Sequence, residues 1–155
     1  MHNEQTIGEA KAFLRANFNK GAVCPCCTQY VKLYMYKLYD TSARALILLS
    51  KMGDGFHHIK DYAEASTNRP RAAHFAELRF WDFIEKSDEK AEGKKASGYW
   101  AITNEGRAFV QGMVDARHKV LIFNNHFYGF VGRKVSIHEA LGAKFDYEDL
   151  MGVTV

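Results

Sequence analysis

Three cysteines stand within four residues of one another, as Cys24-Pro25-Cys26-Cys27. Cys24-x-x-Cys27 has the spacing of half a zinc knuckle, because two thiolates so placed can share one tetrahedral ion. Completing the four ligands would take Cys26 or a distant histidine. His57, His58, His118, His126 and His138 are the candidates, and none of them falls in His-x3-5-His spacing. Lys20 and Lys32 favour the thiolate form nearby. Three uses stay open: zinc held through Cys24 and Cys27, a reactive thiol, or cysteines packed as small hydrophobes. Asp146, Glu148 and Asp149 form an acidic group that suits either magnesium or the flank of a solvated helix. No Gly-x-Ser-x-Gly, phosphate loop, His-Glu-x-x-His or Gly-x-Gly-x-x-Gly occurs. The chain is therefore not read as an enzyme, and no cofactor beyond the zinc alternative is implied.

The chain that must position these groups has 155 residues, 47% hydrophobic and 14% aromatic. That length suits a single domain over 1–155 and buries about 70% of the unfolded surface, so neither disulfide nor metal is needed for folding. The longest apolar stretches, Ala45 to Leu49 and Val120 to Phe123, fall far short of the roughly 18 residues of a membrane span. Met1 to Gln5 carries neither a basic nor a long apolar region, so no secretory signal is read. The expectation is a soluble, cytoplasmic protein without a membrane partner. Formal charge is +3, which permits a nucleic-acid partner without demanding one.

Along the chain, Thr6 caps a helix to Asn19, with Glu9 as its capping-box partner and Ala10, Phe13, Leu14 and Phe18 on one face. Tyr30 to Tyr39 fits strand and helix periods alike. Asp40-Thr41-Ser42 caps a strongly apolar helix, Ala43 to Met52. A short extended piece follows at Phe56 to Ile59, then a helix over Asp61 to Ser66. Arg71 to Trp81 is a second helix, with Phe75, Leu78 and Trp81 on successive turns. Phe83 to Lys86 and Gly98 to Ile102 pair as a hairpin around the polar loop Ser87 to Ser97. Thr103-x-x-Gly106 opens a helix that runs to Met113. Lys119 to Phe123 and Tyr128 to Val131 are strands about an Asn124-Asn125-His126 turn, and Ser136 caps a last short helix.

Helix, short strand, helix, helix, strand, polar loop, strand, helix is the order of a winged helix-turn-helix. Residues 42–112 resemble that superfamily in its MarR-like arrangement. The matching stretches are Leu78-Arg79-Phe80-Trp81-Asp82-Phe83-Ile84-Glu85 and Tyr99-Trp100-Ala101-Ile102-Thr103-Asn104-Glu105-Gly106-Arg107. Asp82 stands where the family has glycine and Ile102 where it has leucine, while Thr103-x-x-Gly106 is intact. The whole chain also resembles small phage and prophage proteins with a Cys-Pro-x-Cys-like start. The resemblance implies an α+β fold: a winged helix-turn-helix core over 41–113, an added N-terminal helical, cysteine-bearing extension over 1–40, and a C-terminal strand pair plus short helix over 114–155.

It also implies double-stranded DNA as partner, in the manner of a phage or mobile-element transcriptional regulator. Asn68, Arg69, Arg71, His74 and Arg79 then belong to the second helix of the motif, and Lys90, Lys94 and Lys95 to the wing. A helix N-terminus favours phosphate, and a guanidinium such as that of Arg71 can grip guanine O6 and N7 together. Against this, Asp88, Glu89 and Glu92 cancel the wing's three lysines, and winged helices also bind proteins. The alternative is a protein-binding module, a phage factor that engages host machinery without DNA. Tyr30, Tyr34, Tyr36 and Tyr39, with Met35 among them, suit either a core or an interface. The extra N-terminal helix is the natural seat of a homodimer, which would set half-site spacing.

Overall fold

A computed structural model describes residues 6–62, 72–87 and 98–152. The chain is a mixed α and β protein with small sheets, compatible with the α+β class. It divides into two compact units. One comprises residues 1–36 and 119–131, the other residues 37–118 and 132–155.

The first unit opens with helix α1, Ile7–Ala16. Its N-cap is Thr6, whose hydroxyl accepts the Glu9 N–H at 3.1 Å. That satisfies one of the four donors that a helix start leaves free. The cysteines occupy the turn of a two-stranded antiparallel hairpin, β1 (Ala22–Val23) and β2 (Tyr30–Val31), with Ala22 opposite Val31. Tyr30 to Tyr39, ambiguous by period, is mostly strand: β2 is followed by β3, Leu33–Lys37. Strands β7 (Ala116–Phe123) and β8 (His126–Val135) form a sheet with β3, in the order β3-β7-β8. Asn124 and Asn125 link β7 to β8 at φ of 51° and 62°. Such left-handed pairs match the twist of a tight hairpin, and asparagine tolerates them.

The second unit is built on helix α2, Asp40–Lys51. It begins three residues earlier than expected, with Tyr39 at the N-cap and the Asp40 carboxylate accepting from Thr41 N. Ser42, Ala43, Ala45, Leu46, Ile47 and Leu49 are all buried, as its run of apolar residues requires. Strand β4 is His57–His58, and a 3-10 turn, Ile59–Asp61, follows it. The rest of the helix expected over Asp61 to Ser66 lies outside the described residues. Helix α3, Ala72–Ala76, tightens into a 3-10 turn, Glu77–Trp81, instead of continuing as α-helix. Phe75, Leu78 and Trp81 are nevertheless buried on successive turns.

Strands β5 (Ile84–Lys86) and β6 (Tyr99–Ile102) pair antiparallel, Lys86 opposite Trp100. Strand β6 also pairs antiparallel with β4, His57 opposite Trp100, so the sheet order is β4-β6-β5. Helix α4, Asn104–Val110, starts on Thr103, whose hydroxyl accepts the Gly106 N–H at 3.0 Å. Helix α5, Ile137–Leu141, has a complete capping box between Ser136 and Glu139. Helix α6, Tyr147–Met151, is capped by Asp146. Helices α4, α5 and α6 all contact α2, and Phe109, Val110, Ile137 and Leu141 are buried with it.

Candidate nucleic-acid interface

The stretch from Ala72 to Trp81 ends at Asp82, which adopts the left-handed conformation at φ 62°. Aspartate reaches this region more readily than most side chains do. The Asp82 N–H returns to Arg79 O at 3.0 Å and the Phe83 N–H to Leu78 O at 3.3 Å, so the chain reverses directly into β5. Two of the proposed DNA-contacting residues lie on this stretch. His74 is half-buried and stacks on Tyr39, with ring centroids 4.3 Å apart and planes 11° from parallel. Arg79 is half-buried too. It donates to Ala76 O at 2.7 Å, and its guanidinium lies 4.3 Å from the Phe80 ring centroid. Both are engaged with the protein's own groups. Asn68, Arg69, Arg71, Lys90, Lys94 and Lys95 lie outside the described residues, as does the polar loop from residue 88 to residue 97.

Glu77 is a member of this stretch that its sequence position did not single out. Burial pushes its carboxyl up to about 7, opposed by the neighbouring charge of Arg79. One of its oxygens is buried without a hydrogen-bond partner. Only the tertiary fold makes this carboxylate unusual; in sequence it is an ordinary helix glutamate.

The turn into α4 is tightly built. The Thr103 hydroxyl donates to Asp82 O while it caps Gly106, and Thr103 N–H donates to Phe83 O at 3.0 Å. A Cβ on Gly106 would lie 2.3 Å from Phe83 O, so α4 can approach the start of β5 only with glycine there.

Cys24 is half-buried, and Cys26 and Cys27 are exposed. The turn is closed by Cys24 N–H to Gln29 O at 2.7 Å and Thr28 N–H to Cys24 O at 2.9 Å. Hydrogen bonds from the backbone of Cys27 and Cys26 hold the Cys24 thiol below its ordinary value. Among the described residues, however, no group of three His, Cys, Asp or Glu side chains stands where it could hold a metal ion. Cys24 and Cys27 alone would offer two of the four ligands that a structural zinc site needs. The histidines have local work. His58 accepts from Lys60 N at 3.1 Å, His57 pairs with Asp54 O at 3.2 Å, and His126 pairs with Asn124 O at 2.7 Å. The Asp146 carboxylate is used as a helix cap, accepting from Glu148 N and Asp149 N.

The tyrosine cluster divides by exposure. Tyr30, Tyr34 and Met35 are exposed, while Tyr36 and Tyr39 are half-buried. Phe123, Phe127, Tyr128 and Phe130 are exposed as well. Their signal in the sequence is a run of aromatics without a charged residue from Val120 to Gly132. No helix among the described residues is long and apolar enough to cross a membrane. Comparison with protein-family models, with curated proteins and with solved structures finds no match.

Proposed function

We propose that residues 42–112 form a winged helix-turn-helix that binds double-stranded DNA, in the manner of a phage or mobile-element transcriptional regulator. The observation that carries the reading is the strand order β4-β6-β5. The strand after the polar loop pairs with both its hairpin partner and the short strand that precedes the helices. A wing folded back on a helix-turn-helix requires that order. Asp82 in the left-handed conformation, where the family has glycine, supports the same reading. So does the Thr103 cap on Gly106.

Arg71 enters the major groove as the base-reading residue, with Asn68 and Arg69 at the phosphate beside it. Lys90, Lys94 and Lys95 track the adjacent backbone. His74 and Arg79, engaged with Tyr39, Ala76 and Phe80, orient this segment. Exposed Ile7 and Phe13 on α1 favour a homodimer through that helix. A protein-binding winged helix that engages host machinery is the second reading. The second unit favours it by carrying sixteen basic against sixteen acidic residues.

The experiment is fluorescence anisotropy on random duplex DNA across a salt titration. Binding should weaken steeply with salt. Arg71→Ala with Lys94→Ala should lower affinity and reduce the salt slope by about one unit per lost phosphate contact. Unchanged duplex affinity in the double variant would sink the DNA reading.

A further inference from the structure

The formal charge of the chain is not spread evenly. The unit of residues 1–36 and 119–131 holds five Lys or Arg against two Asp or Glu, which accounts for the whole net +3. Both acids, Glu4 and Glu9, lie before residue 10. The rest of the unit is basic and uncharged side chains only.

The same unit exposes aromatic rings. Tyr30 is 56% exposed, Phe127 53% and Tyr128 55%. Tyr34 and Tyr36, alternate residues of β3, lie on one face and stack 6.3 Å apart at 22°. Lys32 Nζ stands 5.1 Å from the Tyr34 ring centroid. Phe18, in the turn after α1, packs edge-on against both Phe123 of β7 (5.2 Å) and Tyr128 of β8 (5.7 Å), which braces those rings without covering them. A cavity of about 200 Å³ opens among them, lined by Gln29, Tyr30, Lys32, Tyr34, Phe123 and Asn124. Three aromatic residues, one lysine and two amide-bearing residues thus border a space with room for one nucleobase.

We infer that this unit is a docking surface for single-stranded DNA, with one base held in the cavity at Tyr30, Tyr34 and Phe123 and its phosphates near Lys32 and Lys20. Stacking needs a free π-face, and duplex DNA keeps its base faces inside the helix. Only an unpaired strand can offer both the faces and the phosphates. Beyond residue 9 the unit carries lysine and arginine and no acid, a charge that matches a polyanion. Besides Ile7 and Phe13 on α1, the unit exposes the apolar side chains of Val23, Met35, Phe127 and Phe130. They suit deoxyribose, which brings no 2′-hydroxyl to satisfy. This surface is separate from the winged-helix proposal and does not depend on it.

The test uses the full chain and a labelled oligo-dT strand of about 15 nucleotides, read by anisotropy at low and raised salt. Salt-sensitive binding is expected. Tyr34→Phe should retain it, whereas Tyr34→Leu, which keeps the bulk and loses the ring, should weaken it roughly tenfold. Lys32→Glu should weaken it further while leaving the thermal melt unchanged, so a folding defect at Tyr34 would not decide the matter. Arg71→Ala with Lys94→Ala should leave oligo-dT binding intact. The inference is overturned if oligo-dT does not bind at low salt, or if Tyr34→Leu and Lys32→Glu both bind like the parent. An oligo-U strand bound tenfold tighter than oligo-dT would overturn it in favour of RNA. A dimer in sedimentation that Tyr34→Leu dissociates would overturn it in favour of a second copy of the chain.

Discussion

Glycine to alanine at two helical positions should change stability in opposite directions, because the two sites differ in what a new methyl group meets. Gly8 and Gly106 both lie inside helices. Helix propensity alone predicts that either substitution stabilises by up to about 1 kcal/mol. At Gly8 the nearest atom to an added Cβ is Thr6 Oγ1 at 3.8 Å, an ordinary contact, so the gain stands. At Gly106 the same Cβ would meet Phe83 O at 2.3 Å, Ile102 Cγ1 at 2.8 Å and the Phe83 carbonyl carbon at 3.1 Å. The first of these is more than about 1 Å inside the optimal separation of non-bonded heavy atoms. The carbonyl cannot swing away cheaply, because it accepts the Thr103 N–H and so holds the entry to α4. Overpacking of this kind costs about 1–3 kcal/mol. Because the Cβ meets backbone rather than a flexible side-chain end, the cost falls at about 2–3 kcal/mol, and after about 1 kcal/mol of propensity gain Gly106→Ala should destabilise by about 1–2 kcal/mol. For a chain of this length that lowers the melting temperature by roughly 2–8 °C. Thermal and urea unfolding followed by circular dichroism would measure both variants. A Gly106→Ala protein that melts at or above the parent would refute the close approach of α4 to Phe83.

Two further substitutions probe the segment between α3 and β5. Asp82→Val should cost about 1–2 kcal/mol, since a β-branched residue resists the left-handed conformation, whereas Asp82→Gly should cost nothing; equal urea midpoints for the two variants would contradict the φ of 62°. Glu77 ties stability to pH. Its carboxyl is raised from 4.5 to about 7, so the folded chain holds a proton that the unfolded chain has already released. Its contribution is full below about pH 4.5 and fades as pH rises to about 7. Glu77→Gln should flatten the decline over that window and raise the urea midpoint at pH 8 relative to the parent. Parallel pH profiles for parent and variant would remove the burial argument.

What the sequence determined by itself was local. Thr6, Thr103 and Ser136 are each followed three residues later by the N–H that the hydroxyl caps, and all three open helices. A cap, its acceptor and its donor lie within one turn, so no distant partner is needed. The apolar run of α2 and the two-asparagine turn between β7 and β8 are legible for the same reason. The hairpin of β5 and β6 is legible too, because two apolar stretches flank one uninterrupted polar segment of the sequence. The tertiary structure decided what depends on partners far along the chain. Tyr30 to Tyr39 has a period that fits helix or strand, and it becomes strand because β3 pairs with β7, about eighty residues on. The extended piece at Phe56 to Ile59 is legible as such, but its partner is not: His57–His58 pair with β6, about forty residues on, and set the order β4-β6-β5. Burial also lies outside local reach. Glu77 is shifted by what packs around it, and Gly106 is constrained by a carbonyl twenty-three residues earlier. Of the candidate site, the residue types were legible in the sequence. The stacking of His74 on Tyr39 and the cavity between Tyr30, Tyr34 and Phe123 were not, because each joins side chains whose meeting is fixed by packing.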